Sequence, residues 1–435
     1  MANLNWVTLG VWVLGASVGG CGGGDAPGKD SAVLPNASAG AGGSGASRAE
    51  GGGVSAPPSG SSGSGTVAGG GAARGTPATG DCSGLDLSAA PRQFGYIAFD
   101  ETWSGINLVE DVEVHDGAVI TIEPGSTLVM EADGQLDFDE ESTLIARGTE
   151  AAPIVICGRE PGTAYWSHIQ LGDMGPDTVL ANLVISGGLT RFGLFAYGEA
   201  RFENVRLIDM GVLASAFAPG SSGLVVEHSL GSPMEIDFPS ALVNFPINSR
   251  IIGPEPIVLD FLTNTRLEAD ATLYDLGTPY AQAGDLNVVN GATLTIQAGV
   301  QIGYNSLDQL SVGQTEPGGL RILGEPQAPV VLHGNAETPG AWIGVRLGPQ
   351  LLPDSRLSNV QILHGGEGGS ALDTAAAVLL DGVSVAQFGG LGVRIREPGV
   401  AAGSRLEIAA AGRYPLSVDP GALLALPALE SAGNE

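Results

Sequence analysis

An internal duplication constrains the fold of this chain more strongly than any other feature of its sequence. Residues 117–125 read GAVITIEPG, and residues 291–299 read GATLTIQAG. The match continues in the same order through further pairs, including Trp166 with Trp342. Order-preserving similarity of this length indicates a duplication, so both copies are expected to share one structure.

A shorter period lies within each copy. Asn182 opens the run NLVI and Asn204 opens the run NVRL, and short alternating runs such as ITI at 120–122 are bounded by turn residues. Such runs are typical of β-strands. A period of roughly 20 to 25 residues made of short strands predicts a β-solenoid, in which each coil buries its apolar face against the next. Asn182 and Asn204 are then expected to form an inward polar ladder at a turn.

The duplicated segments resemble a known family. The string TLTIQAG at 293–299, preceded by LNV at 286–288, and the string PIVI at 153–156 are similar to the β-helix region of bacterial cell-surface lipoproteins. The resemblance implies an all-β fold, a right-handed parallel β-helix with an internal duplication. It implies no particular reaction, because folds of this kind host enzymes, adhesins and inert spacers alike.

The sequence divides into six segments. They are a signal peptide at 1–20, a disordered Gly/Ser/Ala-rich linker at 21–80, a first β-helix copy at 81–235, an irregular connecting segment at 236–280, a second copy at 281–412 and a C-terminal tail at 413–435. Because no Gly/Ser linker separates the two copies, we expect one continuous rod with an irregular middle.

The N-terminus carries an export signal. Residues 6–18 are apolar but too few for a transmembrane helix, which needs about 20 residues, and their length is typical of a signal-peptide core. The following residues, VGGC at 18–21, resemble the lipobox of bacterial lipoproteins. The resemblance implies cleavage before Cys21, lipid attachment at Cys21 and an outer-membrane location with the protein exposed at the cell surface. The alternative is a simple secretory signal cleaved elsewhere, with Cys21 incidental and the protein secreted.

Charge excludes several classes of function. The chain has 18 Lys plus Arg against 47 Asp plus Glu, a net charge of −29. The charges of the linker cancel, so this excess falls on the solenoid. Nucleic-acid binding requires clustered basic residues and is not expected. Lys29, in the linker, is the only lysine, which argues against a Schiff-base enzyme, a P-loop NTPase or a kinase.

Two cysteines remain beyond the proposed lipid site. In an exported protein, Cys82 and Cys157 are most simply a disulfide, and the alternative is a pair of free buried thiols. The bridge would attach an N-terminal cap to an early coil and protect an open sheet end.

An acidic stretch is the strongest candidate for chemistry. It comprises Glu131, Asp133, Asp137, Asp139, Glu140 and Glu141, with Arg147 nearby. Alternation places Asp137 and Asp139 on an outward face, so a solvated edge is favoured over a structural calcium site or a lyase-like active site. The five histidines, His115, His168, His228, His333 and His364, show no metal-ligand spacing.

The export signal, the predicted solenoid and the lack of a recognisable catalytic pattern together favour a non-catalytic surface protein. No catalytic, cofactor-binding or metal-binding residue is predicted, and no cofactor is expected. Trp166 and Trp342 are interpreted as structural, with sugar stacking as the alternative. The expected partners are the membrane, through the lipid, and a surface polysaccharide or another surface protein, so the role is structural, adhesive or glycan-binding. The alternative is a polysaccharide lyase or glycoside hydrolase, which would show convergent carboxylates and an arginine on one face of consecutive coils.

Overall fold

The computed structural model describes residues 80–162, 164–172, 177–228, 230–262, 265–409, 414–425 and 429–432. The signal peptide, Cys21, Lys29 and all but the last residue of the linker lie outside the described residues. No helix in the described part of the chain is long and apolar enough to cross a membrane.

The described residues form 34 short strands and one 3₁₀ helix. The strands of the first half are β1 Arg92–Ile97, β2 Glu101–Trp103, β3 Ile106–Val114, β4 Val119–Ile122, β5 Thr127–Phe138, β6 Thr143–Arg147, β7 Ile154–Gly158, β8 Ile169–Leu171, β9 Val179–Ser186, β10 Leu194–Ala196, β11 Arg201–Ile208, β12 Val212–Ala214, β13 Ser222–Glu227, β14 Met234–Ile236, β15 Arg250–Ile252 and β16 Ile257–Asp260. The 3₁₀ helix is Pro239–Leu242.

The remaining strands continue the same pattern. They are β17 Arg266–Leu267, β18 Ala271–Leu273, β19 Tyr280–Ala283, β20 Leu286–Val288, β21 Thr293–Gln297, β22 Gln301–Tyr304, β23 Gln309–Val312, β24 Gly319–Leu323, β25 Val330–Gly334, β26 Gly344–Leu347, β27 Arg356–Leu363, β28 Ser370–Thr374, β29 Ala377–Ala386, β30 Leu391–Ile395, β31 Val400–Ala409, β32 Tyr414–Val418, β33 Leu423–Ala425 and β34 Leu429–Ala432.

These strands stack as a parallel β-solenoid of about 14 turns, which confirms the predicted fold class. Each strand pairs in parallel with the equivalent strand one coil away, for example β9 with β11 and β21 with β24. The alternating sequence explains the core, because every second side chain points inward. In β4, Ile120 and Ile122 are buried while Val119 and Thr121 are partly exposed.

Each coil of the first copy has three faces. The first face contains β4, β6 and the N-terminal halves of β9 and β11. The second contains β7 and the C-terminal halves of β9 and β11. The third contains β8, β10, β12, β14 and β16, preceded by the C-terminal half of β5. The third face carries the candidate site.

The two copies form one continuous stack. The third face runs on from β16 into β19, β22 and β25 without a break in pairing. A separate seven-stranded sheet, which starts at β17 and ends at β32, opens in the middle segment. The segment expected as a C-terminal tail contributes β32, β33 and β34, which pair with β30 and β31.

An asparagine ladder marks the turn between the first and second faces. Asn182 and Asn204 have positive φ angles of 49° and 53°, and Asn204 Nδ2 lies 3.4 Å from Asn182 Oδ1. Asn182 in turn donates to the main-chain oxygen of Gly148 at 3.0 Å. Asn359 repeats this contact with Gly324 in the second copy, at 2.9 Å. The ladder is confirmed, but it lies at a partly exposed turn rather than inside the solenoid.

The N-terminal segment 80–91, which we call the strap, crosses the second face. Its side chains pack on outward apolar residues of three coils, including Leu108, Val129 and Val155. Cys82 in the strap and Cys157 in β7 form a disulfide pair with Cα atoms 6.0 Å apart. The pair is as predicted. The strap, however, covers the second face of the solenoid and not its open end, because the exposed apolar side chains lie on that face.

Candidate functional site

The outward side chains of the third face form the candidate site, which we call the acidic-aromatic flank. One side chain from each of six successive strands of this face, in register, makes the row Asp137, Gln170, Phe195, Leu213, Glu235 and Val258. Because adjacent strands lie about 4.8 Å apart, the row extends about 24 Å along the axis. The row is rigid, since the neighbours of each member are buried in the core.

Aromatic side chains occupy the centre of the flank. The rings of Phe192 and Tyr197 each lie 5.7 Å from the ring of Phe195, centroid to centroid. Tyr197 is 38 % exposed, and both phenylalanines are half-buried. The guanidinium of Arg191 lies 5.0 Å from the centroid of Phe192. The centre is therefore an open, rigid aromatic surface with a cation at its edge.

Carboxylates lie on the next coils. Glu235 follows Phe195 two strands along the row. Asp237 directly follows β14, Asp260 ends β16, and both are close enough to act on the Glu235 carboxyl. Burial raises the pKa of Glu235 above its ordinary value. Arg191, whose Nη2 lies 3.7 Å from Glu235 Oε2, opposes this shift, and Asp260 and Asp237 add to it. Burial also raises the pKa of Asp237, against the opposing effect of the Ser215 hydroxyl. These carboxyl groups are thus poorly solvated and tend to retain or accept a proton.

A histidine lies at the other end of the flank. His168 Nε2 is 3.1 Å from Asp137 Oδ1, and His168 Nδ1 is 2.7 Å from Ser167 Oγ. The imidazole meets the ring of Phe195 edge-on, with centroids 5.2 Å apart. The imidazole of His168, with its partners Ser167 and Asp137, therefore lies directly beside the aromatic surface.

The acidic stretch at 131–141 is divided by the structure and does not form one cluster. Glu131 pairs with Arg159 at 2.8 Å, whereas Asp139 lies 3.1 Å from His115. Asp137 and Asp139 face outward between the buried Leu136 and Phe138, as predicted. Asp133, Glu140 and Glu141 are exposed, as a solvated edge requires.

Neither the calcium nor the lyase interpretation of this stretch gains support. Arg147 lies in register with Ala181 on the first face, away from Asp137. Among the residues that the structure describes, no group of three or more His, Cys, Asp or Glu is placed to hold a metal ion. His228, His333 and His364 lie elsewhere on the solenoid, and burial lowers the pKa of His228.

The repeated tryptophans are structural, as interpreted from the sequence. Trp166 and Trp342 are 1 % and 0 % exposed. The indole N–H of each donates to a main-chain oxygen one coil away, at 2.8 Å, from Trp166 to Ser186 and from Trp342 to Leu363. Buried rings cannot stack on a sugar in solution, so the aromatic surface of this protein is formed by other residues.

Sequence reasoning missed Phe195, Glu235, Asp237 and Ser167. The available signal was an apolar residue at an outward position, since Phe195 and Leu213 stand between buried neighbours in β10 and β12.

No protein-family model matches this chain, and neither a curated protein nor a solved structure matches it significantly. Function is therefore inferred from the residues of the flank themselves.

Proposed function

We propose that this protein is a bacterial cell-envelope component, anchored by lipid at Cys21, whose solenoid binds a neutral saccharide chain along the acidic-aromatic flank. The lipobox-like VGGC at 18–21 supports the anchor, and two or three acyl chains hold a protein on a bilayer far better than one. The flank supports the ligand class.

The observation that carries the ligand class is the row of half-exposed rings beside poorly solvated carboxylates. A pyranose ring has an apolar face of C–H groups that packs on an aromatic face, and its hydroxyls donate to carboxylates. Phe195 and Tyr197 supply the rings, and Glu235, Asp237 and Asp260 supply acceptors on the next coils. A rigid row about 24 Å long fits an extended oligosaccharide of several units rather than a single sugar.

Charge favours a neutral chain over an acidic one. The protein carries a net charge of −29, and the partly buried Glu235 and Asp237 face the flank itself. A polyanionic glycan would be repelled by the negative net charge of the protein, and at the flank it would bring further charge into a poorly solvated site, which costs free energy. This charge argument disfavours uronic-acid polymers and lyase chemistry on them.

Replacing Phe195 by alanine is expected to weaken saccharide binding by at least about tenfold, because the central stacking surface is lost. Affinity electrophoresis of the folded protein in gels containing a neutral β-glucan, a mannan or a galactan measures this effect. Phe99, which is 66 % exposed near the first coil, supplies the matched control, Phe99→Ala. Equal retardation of Phe195→Ala and the native protein in every gel would contradict the proposal.

Glycoside hydrolysis is the second candidate, favoured by the raised pKa of Glu235 and Asp237. A carboxyl group whose pKa is raised holds its proton to higher pH and can serve as a general acid, and a second carboxylate on the next coil can serve as base or nucleophile. Release of reducing ends during incubation with the retarding polysaccharide would indicate hydrolysis. A polysaccharide recovered at its full length would indicate binding alone.

Lipid anchoring has its own test. Cells expressing the protein with a labelled fatty acid should yield labelled protein, and Cys21→Ala should yield none, since the thiol is the proposed acylation site. Cys157→Ser is the control that retains the label. Label that persists in Cys21→Ala, or native protein found free in the medium, would favour the secretory alternative.

A further inference from the structure

Ser167, His168 and Asp137 form a connected series at the histidine end of the flank. Ser167 Oγ lies 2.7 Å from His168 Nδ1, and His168 Nε2 lies 3.1 Å from Asp137 Oδ1. Both distances fall within the range expected of a nucleophile, its general base and the group that orients the base. All three residues are partly exposed, so a substrate can reach them.

The carboxylate selects the tautomer that this chemistry requires. Asp137 accepts only, so the imidazole proton is placed on Nε2 and the lone pair is left on Nδ1. Ser167 then donates its hydroxyl proton to Nδ1. Asp137 Oδ1 is buried and has no well-aligned hydrogen bond within the described residues, and the imidazole Nε2, 3.1 Å away, is the donor placed to pair with it. Such contacts are often misaligned until substrate binds.

The duplication shows that the solenoid does not need these residues. The fold-determining positions recur, as Trp166 and Trp342 do with the same indole hydrogen bond. Residues 167 and 168 directly follow the first tryptophan, and in the second copy Ile343 and Gly344 follow the other. Asp137 is also replaced in the second copy, where the equivalent residue is Ser311 in β23. The second copy keeps the structure without the series.

We propose that Ser167 is the nucleophile and His168 the general base of an esterase site that removes acyl groups from alcohols. Ser167 Oγ attacks the ester carbonyl carbon while His168 Nδ1 takes the hydroxyl proton. The imidazolium returns that proton to the leaving alkoxide, which departs as the alcohol and leaves the acyl group on Ser167. Water, deprotonated by the same nitrogen, then releases the carboxylic acid and regenerates the serine.

Neighbouring side chains suit this step. Gln170 stands in register between Asp137 and Phe195 on the outward side, where its amide N–H can donate to the developing oxyanion. The ring of Phe195, 5.2 Å from the imidazole, connects the series to the aromatic surface. The natural substrate class is therefore a saccharide that carries small O-acyl groups, and this assignment alone rests on the proposed saccharide binding.

The test uses reagents that need no saccharide. Incubation of the native protein with a fluorophosphonate probe, followed by peptide mass spectrometry, should place the label on Ser167, and 4-nitrophenyl acetate should be hydrolysed. Ser167→Ala should lose both reactions. His168→Gln should slow labelling at least about 100-fold. Ser104, an exposed serine with no adjacent histidine, gives the control Ser104→Ala, which should react as the native protein does.

Asp137 is a positioning residue, and its test separates orientation from folding. Asp137→Asn should slow labelling with an unchanged melting temperature, and Asp137→Glu should recover part of the rate.

Native protein that takes up no label, or label that persists in Ser167→Ala, would overturn the proposal. Either result would leave saccharide binding untouched, because retardation in polysaccharide gels is measured separately. Conversely, if Ser167 is labelled but no polysaccharide gel retards the protein, the esterase assignment stands and the saccharide substrate class is excluded.

Discussion

Trp342→Ala is expected to lower the free energy of unfolding by about 3 to 5 kcal/mol. Trp342 is fully buried, and its ring stacks on that of Tyr304 with centroids 4.1 Å apart and planes at 7°. Truncation would leave a cavity between coils and would remove the donor to the Leu363 main-chain oxygen. Each coil is stabilised mainly by its neighbours, so a cavity weakens both adjoining interfaces.

Denaturant unfolding monitored by circular dichroism measures this effect. Trp342→Phe retains part of the ring but removes the indole donor to the Leu363 carbonyl, so we expect an intermediate loss of about 1 to 3 kcal/mol. Tyr414, which is 64 % exposed, supplies the control Tyr414→Ala, whose effect should stay within about 0.5 kcal/mol. A Trp342→Ala variant as stable as Tyr414→Ala would show that the indole is not part of the core.

Loss of the Cys82–Cys157 pair is expected to cost up to about 4 kcal/mol. The pair closes a loop with a sequence separation of 75 residues, and the entropy of that loop in the unfolded chain is the source of the effect. Release of the strap would also expose outward apolar side chains of the second face, among them Leu108 and Val129. Both effects lower the free energy of unfolding.

Unfolding midpoints with and without reductant measure the contribution of the disulfide. The native protein should become less stable when reduced, whereas Cys157→Ser should be less stable from the start and indifferent to reductant. The Cys157→Ser variant should also bind more of a dye specific for exposed apolar surface, because the strap is no longer attached. Equal midpoints for the oxidised and reduced native protein would contradict the prediction.

The solenoid could be predicted from sequence because its determinants repeat. Trp166, Asn182 and Gly148 each have a partner in the second copy, and each makes the same contact there. The glycine is required because a side chain at position 148 would collide with the main-chain oxygen of Asn182. A residue that the fold needs is therefore visible as a repeated residue.

The flank could not be predicted in the same way, because its residues occur once. Phe195, Glu235 and Asp260 are far apart in the sequence and meet only through the register of β10, β14 and β16. Coil lengths vary, so this register cannot be counted from the sequence alone. Asp137 was singled out as a member of an acidic stretch, whereas its neighbours in space are His168 and Gln170.

The way in which the copies join limits how a long ligand can lie on the molecule. In the first copy, β8 belongs to the flank, but its counterpart by duplication, β26, belongs to the separate sheet that begins at β17. The strands that continue the flank axially, β19, β22 and β25, correspond to a different face of the first copy. Equivalent surfaces of the two copies thus point in different directions around the axis. A straight polymer that lies along one copy meets unrelated side chains on the next, so the duplication lengthens the rod without making it bivalent.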